Sequence, residues 1–60
     1  MFNKILSEIE RKFNQAVNTA NNSYTKDSRV WNEGQAFAYA QMHDDLSGDS
    51  RLMEEYRKYF

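Results

Sequence analysis

Hydrophobic residues recur every three or four positions over the first third of the chain. Successive members of this series are 4, 3, 4, 3 and 4 residues apart: Phe2, Leu6, Ile9, Phe13, Ala16 and Ala20. Ile5, Val17 and Tyr24 widen the same stripe. The spacing predicts an amphipathic helix over about residues 3–22. It should close within residues 21–23, since asparagine can adopt the left-handed conformation that ends helices.

Two further helices are predicted from the remaining pattern. Thr25 or Asp27 is suited to cap a second helix over about residues 26–46. Gly48 is suited to end it, and Asp49 or Ser50 is suited to cap a third helix over about residues 50–59. The third segment has one apolar face, made of Leu52, Met53, Tyr56, Tyr59 and Phe60. We therefore predict a single all-α domain over residues 1–60, a helical hairpin plus a short third helix in a small three-helix bundle.

The stretch "VWNEGQAFAYAQM", residues 30–42, has an unusual mixture of aromatic and small residues. Alanine is a poor strand former and no second strand is available for pairing, whereas alanine is the best helix former. We therefore predict a helix. On a helical wheel its apolar arc contains Trp31 and is wider than one neighbouring helix would cover. Gly34 and Ala38 within that arc predict close helix packing. The neighbour is either another helix of this chain or a separate chain, and the pattern leaves both open.

Composition narrows the possible chemistry. The chain has 60 residues, no cysteine and one histidine, which excludes disulfides, thiolate zinc sites and His-rich metal sites. His43 lies on the polar side of the predicted helix and is expected to be solvated. The acidic residues at 44, 45 and 49 do not have the spacing of an EF-hand calcium loop. Because no catalytic motif is present either, we expect no enzymatic activity, no cofactor and no metal.

Charge and hydropathy exclude two classes of partner. The net charge is −1 and the basic residues are scattered among acids, so no stripe for nucleic-acid phosphates is predicted. The chain has no apolar run of about 20 residues, which argues against a transmembrane helix. The initial "MFNKILSEIE" lacks the apolar region of a signal peptide. We therefore expect a soluble, cytoplasmic protein that does not bind membranes.

The aromatic content favours binding to another protein. Four Phe, four Tyr, one Trp and three Met are many for so small a core, and these residue types are enriched at protein interfaces. Natural domains of this size often depend on association for stability. The candidate contact residues are Trp31, Phe37, Tyr39, Tyr56, Tyr59 and Phe60. Some of them must belong to the core, and the sequence does not sort the two groups.

The chain as a whole resembles the very short all-helical accessory proteins of bacteriophages and mobile elements. The resemblance rests on its length, the absence of Cys and Pro, the Asn-rich turn and the central "WNEGQAFAYAQMHDDL" helix. It implies a regulator or inhibitor that binds a larger host protein and blocks it sterically, as anti-defence proteins and inhibitors of host replication do. The alternative is a self-assembling structural protein, a homodimer or larger bundle that shares the Gly34 and Ala38 face.

Overall fold

Three helices follow one another in the computed structural model, which describes residues 2–60 and the side chains of residues 3–60. They are α1 (Phe2–Asn21), α2 (Lys26–Ser47) and α3 (Arg51–Tyr59). The helices α1 and α2 form a closely packed hairpin, and the shorter α3 packs mainly against α2. No strand occurs within residues 2–60. The predicted all-α hairpin with a short third helix is confirmed.

The helix α1 ends at Asn21, within the predicted region, but its last turn closes differently from the prediction. Gly48 is the one described residue with a positive φ, so no asparagine is left-handed. Instead the Asn22 side-chain amide donates to the carbonyl oxygen of Asn18 at 2.8 Å. The Ser23 hydroxyl donates to the carbonyl oxygen of Thr19 at 2.7 Å. The same two carbonyl oxygens also accept from the backbone N–H of Asn22, at 3.1 and 3.2 Å, so the helix end closes without a left-handed residue and the side chains reinforce it.

The start of α2 has the predicted threonine cap. Thr25 has extended backbone angles, and its hydroxyl oxygen accepts a hydrogen bond from the backbone N–H of Ser28 at 3.1 Å. Asp27, the alternative, lies inside the first turn of the helix. A carboxylate there interacts favourably with the positive end of the helix dipole.

The turn between α2 and α3 is built on Gly48 and Asp49. Gly48 has φ of 72°, the left-handed conformation that glycine adopts readily, and its N–H donates to the carbonyl oxygen of Asp44 at 2.7 Å. Ser50 occupies the cap position of α3 without a side-chain hydrogen bond. The Asp49 carboxylate accepts from the N–H of Arg51 at 3.0 Å instead.

The core combines large side chains from α1 with small ones from α2. Phe13 and Leu52 are the largest side chains that are fully buried among the described residues. From α2 the core receives Ala36 and Ala40, both with no exposed surface. The buried apolar residues are Ile9, Phe13, Ala16, Val17, Ala20, Ala36, Ala40, Leu52 and Met53. Close packing of this kind requires large residues on one side to meet small ones on the other.

The stripe predicted for α1 is confirmed in its middle and is wrong at its margins. Five of its positions are buried: Ile9, Phe13, Ala16, Val17 and Ala20. Leu6 is half-buried, whereas Ile5 and Tyr24 are exposed. Tyr24 lies beyond the end of α1, so the helical wheel does not describe its direction. The side chain of Phe2 lies outside the described residues.

The face of α2 that packs against the core is not the apolar arc that contains Trp31. The sequence left open whether another helix of this chain or a separate chain covers that arc, and Trp31 is 66% exposed. The buried residues of α2 are Ala36, Ala40 and His43. Because α1 already contributes bulky side chains, an alanine face accommodates them where a tryptophan would not.

His43 is buried rather than solvated. The predicted exposure is wrong, since only 4% of the residue is accessible. Its Nδ1 atom lies 3.3 Å from the Ser47 hydroxyl oxygen and 3.4 Å from the carbonyl oxygen of Asp49. Because the faces of α2 are reversed, His43 points inward and joins the end of the helix to the turn that follows.

Candidate functional site: the outer face of α2 and the adjacent groove

Apolar residues lie on the exposed side of α2, opposite its buried residues. We call this surface the outer face; its residues are Val30, Trp31, Gly34, Ala38 and Met42, all of them exposed. Single exposed apolar residues are common on proteins, but a contiguous row of them marks an interaction surface. The row follows from the reversal of α2, which leaves the larger apolar residues of the helix outside the core.

Gly34 and Ala38 do not pack closely against another helix of this chain. A Cβ atom added at Gly34 would meet nothing within 4 Å, and Ala38 is exposed. Of the two neighbours that the sequence left open, another helix of this chain does not cover these residues, while close packing against a separate chain stays a prediction. A glycine inside a helix costs about 1 kcal/mol relative to alanine, and no contact within residues 2–60 offsets that cost.

An open groove of about 540 Å³ lies between α1 and α2, beside the outer face. We call it the α1–α2 groove; its apolar lining is Ile5, Ile9, Tyr39, Met42 and Leu46. Three of these side chains are close to half exposed: Ile5 at 48%, Met42 at 45% and Leu46 at 44%. Ligand-binding clefts typically have volumes of about 300–1,000 Å³ and apolar linings. Because Met42 belongs to both surfaces, the groove and the outer face are continuous.

The α1 edge of the groove carries three charged residues, Lys4, Glu8 and Lys12. Arg11 donates a hydrogen bond from Nε to Glu8 Oε1 at 3.1 Å. This hydrogen bond is the main cause of the lowered pKa of Glu8, and the positive charges of Arg11, Lys12 and Lys4 lower it further. Glu8 is therefore a carboxylate already bonded to a cation of its own helix.

The other carboxylate of α1 is also paired. Glu10 accepts a hydrogen bond from Arg51 of α3 at 2.9 Å. Lys4 and Lys12 form no ion pair with any described residue. The α1 edge of the groove is consequently positive, with two ammonium groups available to a bound partner.

Three candidate aromatic residues form a chain of ring contacts between α2 and α3. The ring centroids of Phe37 and Tyr56 are 5.5 Å apart, and those of Tyr56 and Phe60 are 5.1 Å apart. The Tyr56 hydroxyl donates to Glu33 Oε1 at 3.4 Å. Partial burial, with the neighbouring Glu33 carboxylate, raises the pKa of Tyr56. The cluster joins α3 to α2, and its contact with a partner stays a prediction.

The other three candidate aromatics lie in different places. Trp31 is on the outer face, and Tyr39 packs partly on the core while lining the groove. Tyr59, near the end of α3, is 53% exposed. The structure thus brings Trp31 and Tyr39 to one continuous surface and separates both from the α2–α3 cluster.

Sequence reasoning did not single out the groove. Ile5 and Ile9 on α1, like Met42 and Leu46 on α2, are each four residues apart and so share one side of their helix. That spacing is a usable signal. It becomes a groove only when the pairing of the two helices is known, because neither pair is long enough to define a surface alone.

Other kinds of site have no counterpart in the described part of the chain. No group of three or more His, Cys, Asp or Glu side chains within residues 2–60 is arranged to hold a metal ion. Every buried side-chain nitrogen or oxygen described has a hydrogen-bond partner. No helix among these residues is both long enough and apolar enough to cross a bilayer.

Comparison with known proteins adds no relative to this picture. No protein-family model, no curated protein and no solved structure matches the chain significantly.

Proposed function

We propose that this protein is a small non-enzymatic interaction module, a cytoplasmic regulator or inhibitor of the type found in bacteriophages. It docks the outer face of α2 and the α1–α2 groove onto a larger protein and blocks part of that protein's surface. The observation that carries the proposal is the reversal of α2. Its core-facing residues are alanines and a histidine, whereas Trp31 and Met42 face outward.

The energetic argument concerns what these outward side chains contribute. Apolar surface removed from water is worth about 25 cal/mol per Å², and Trp31 and Met42 leave much of theirs in contact with solvent. A partner that covers them gains this free energy without disturbing the core. Tryptophan is also the residue type most enriched among the side chains that dominate binding energy.

The dimensions of the surface are suited to steric blocking. The helix α2 has 22 residues and is therefore about 33 Å long. A specific interface of ordinary size buries about 800 Å² on each partner. Together with the adjoining groove, a helix of this length reaches that scale even on a chain of 60 residues.

Self-assembly through the same face is the alternative, and Gly34 and Ala38 favour it because small residues let two helices approach closely. Charge argues against it. Asp27 and Asp45 are 18 residues apart, five turns of helix, so they lie in line with Gly34 and Ala38 at the two ends of the outer face. Two copies aligned along this face, parallel or antiparallel, would place carboxylate against carboxylate.

The test combines capture of a partner with variants of the outer face. A tagged chain should retain one host protein from lysate, and Trp31→Ala should abolish retention while the helical circular dichroism signal is unchanged. Tyr24→Ala is the matched control, since Tyr24 is a fully exposed aromatic in the turn before α2. The isolated chain should sediment as a monomer at tens of micromolar, and the purified host protein should lose activity when the chain is added.

Two results would contradict the proposal. Retention that Trp31→Ala leaves intact would show that the outer face is not the docking surface. A stable dimer that Ala38→Leu disrupts would favour self-assembly instead, because the larger side chain obstructs close approach of a second α2.

A further inference from the structure

The α1–α2 groove has a positive edge on one side only. Lys4 and Lys12 line it along α1 and are eight residues apart, two turns and about 12 Å. Between them, Glu8 is bonded to Arg11 and offers no unpaired charge. A ligand lying in the groove therefore meets two ammonium groups, separated by two helical turns, along the same edge.

The α2 side of the groove is apolar. Met42 and Leu46 form its wall, and both are close to half exposed. The groove is thus positive along α1 and apolar along its floor and its α2 wall.

We propose that this groove receives an amphipathic helix of the partner protein, with two acidic residues seven or eight positions apart on one edge. Its apolar face rests on Ile5, Met42 and Leu46, and its two carboxylates pair with Lys4 and Lys12. A helix fits because residues seven or eight apart lie on one side of it, about 11–12 Å from each other. This inference rests on the proposed function and specifies the segment that the module recognises.

Two other occupants fit the charges less well. A second copy that presented its outer face would bring Asp27 and Asp45, whose 18-residue separation does not match the two lysines. An anionic membrane presents phosphates at no fixed spacing, so it would attract Lys4 and Lys12 without matching their separation of about 12 Å. A folded partner helix can place its carboxylates on one edge only, which a membrane surface cannot do.

The test is a displayed library of helical peptides selected on the full-length chain. Each peptide carries leucines along one face, and its edge positions vary among Glu, Gln and Lys. We expect selection of Glu at two positions seven or eight residues apart. Because exposed ion pairs are individually weak, replacing either lysine by Gln should weaken a selected peptide by about two- to fivefold.

Charge reversal makes the assignment specific. With Lys4→Glu and Lys12→Glu combined, selection should shift from Glu to Lys at the same peptide positions. Lys26→Glu is the matched control, since Lys26 is an exposed lysine at the start of α2, outside the groove, and it should leave the preference unchanged. Met42→Glu should remove binding of all the peptides while circular dichroism confirms that the chain is folded.

The possible failures are distinguishable. Peptides that bind without a preference for Glu, or with a preference for Lys, overturn the inference and leave the proposed function standing. Absence of any peptide binding, with host-protein capture still dependent on Trp31, shows that the outer face docks alone and also overturns it. Binding to phosphatidylglycerol vesicles that the double reversal abolishes, without selection of peptides, overturns it in favour of a lipid surface.

Discussion

The two helices of the hairpin use their hydrophobic residues in opposite ways. On α1 the large side chains, Ile9 and Phe13 among them, point into the core. On α2 the core face is made of Ala36 and Ala40, and the large side chains, such as Trp31, face solvent. The difference shows that the buried face of a helix depends on fit with its neighbour as well as on hydrophobicity. It also assigns stability to one face of α2, while recognition by the other face belongs to the proposed function.

The largest expected effect concerns two phenylalanines, one buried in the core and one partly exposed. Phe13→Ala removes a fully buried ring and should cost about 3–5 kcal/mol. That loss is comparable with the entire stability of a domain this small, about 3–9 kcal/mol. Phe37 is 45% exposed and its ring contacts Tyr56, so Phe37→Ala should cost only about 1 kcal/mol. Urea unfolding followed by circular dichroism measures both, and equal losses would contradict the assigned faces.

The next effect compares two alanines of α2 that are two residues apart. Ala40 has no exposed surface, so Ala40→Leu should overpack the hairpin and cost about 1–3 kcal/mol. Ala38 lies on the outer face, and Ala38→Leu should change the free energy of unfolding by no more than about 0.5 kcal/mol. Thermal melts of the two variants provide the comparison. Close packing of Ala38 within the chain, one of the two alternatives that the sequence left open, predicts the reverse order.

Substitutions at the two glycines test whether the outer face is open in the isolated chain. Gly34 lies in the middle of α2 with open space around its Cβ position, so Gly34→Ala should stabilise the chain by about 0.5–1 kcal/mol. Gly48 has a left-handed backbone, so Gly48→Ala should instead destabilise it by about 1 kcal/mol. If Gly34→Ala is destabilising in chemical unfolding, the outer face is not open in the isolated chain.

The smallest effect concerns the contact between α2 and α3. The pKa of Tyr56 is raised above its ordinary value of 10.0, chiefly by burial and also by Glu33. A raised pKa means that the folded state favours the neutral phenol. The resulting stabilisation is present below about pH 10 and is lost as pH rises through the folded-state pKa. Tyr56→Phe should therefore flatten the alkaline loss of stability, measured by denaturant titrations from pH 8 upward.

A second tyrosine variant is the control for that measurement. Tyr24→Phe removes the hydroxyl of a fully exposed residue in the turn before α2. It should leave the pH profile of the parent unchanged. A profile that both variants alter alike would indicate a general effect of charge rather than the contact between Tyr56 and Glu33.

Local features of this fold could be predicted from the sequence. The middle of the α1 stripe, the cap at Thr25 and the turn at Gly48 depend on neighbouring residues alone, and each was found where it was expected. The asparagine-rich end of α1 shows the limit of such reasoning. Its position was correct, but its backbone conformation was not, because the backbone N–H of Asn22 and the side chains of Asn22 and Ser23 donate to the last carbonyls without a left-handed residue.

The orientation of α2 could not be predicted, because it depends on the side chains of α1, which the pattern of α2 alone does not contain. On a helical wheel Trp31 and Met42 are more hydrophobic than the alanines, so the wheel predicts that their side of the helix is buried. In the structure the small residues of α2 are buried in the same core as Phe13, and His43, on the same side of the helix, is buried with them. Trp31 was among the candidate contact residues and is exposed, while its contact with a partner stays a prediction. The groove beside it required the pairing of α1 with α2.

The short third helix has a consequence for the order in which the protein assembles. Its nine residues are fewer than the roughly 12–15 that an isolated helix needs to persist in water. It is therefore helical only while Leu52 and Met53 are packed against the hairpin, so α3 forms its helix and docks in the same step. The hairpin, joined by a short turn, has mostly local contacts and is expected to form first on a fast timescale. Amide protons of α3 should then be the first to exchange in native-state hydrogen exchange.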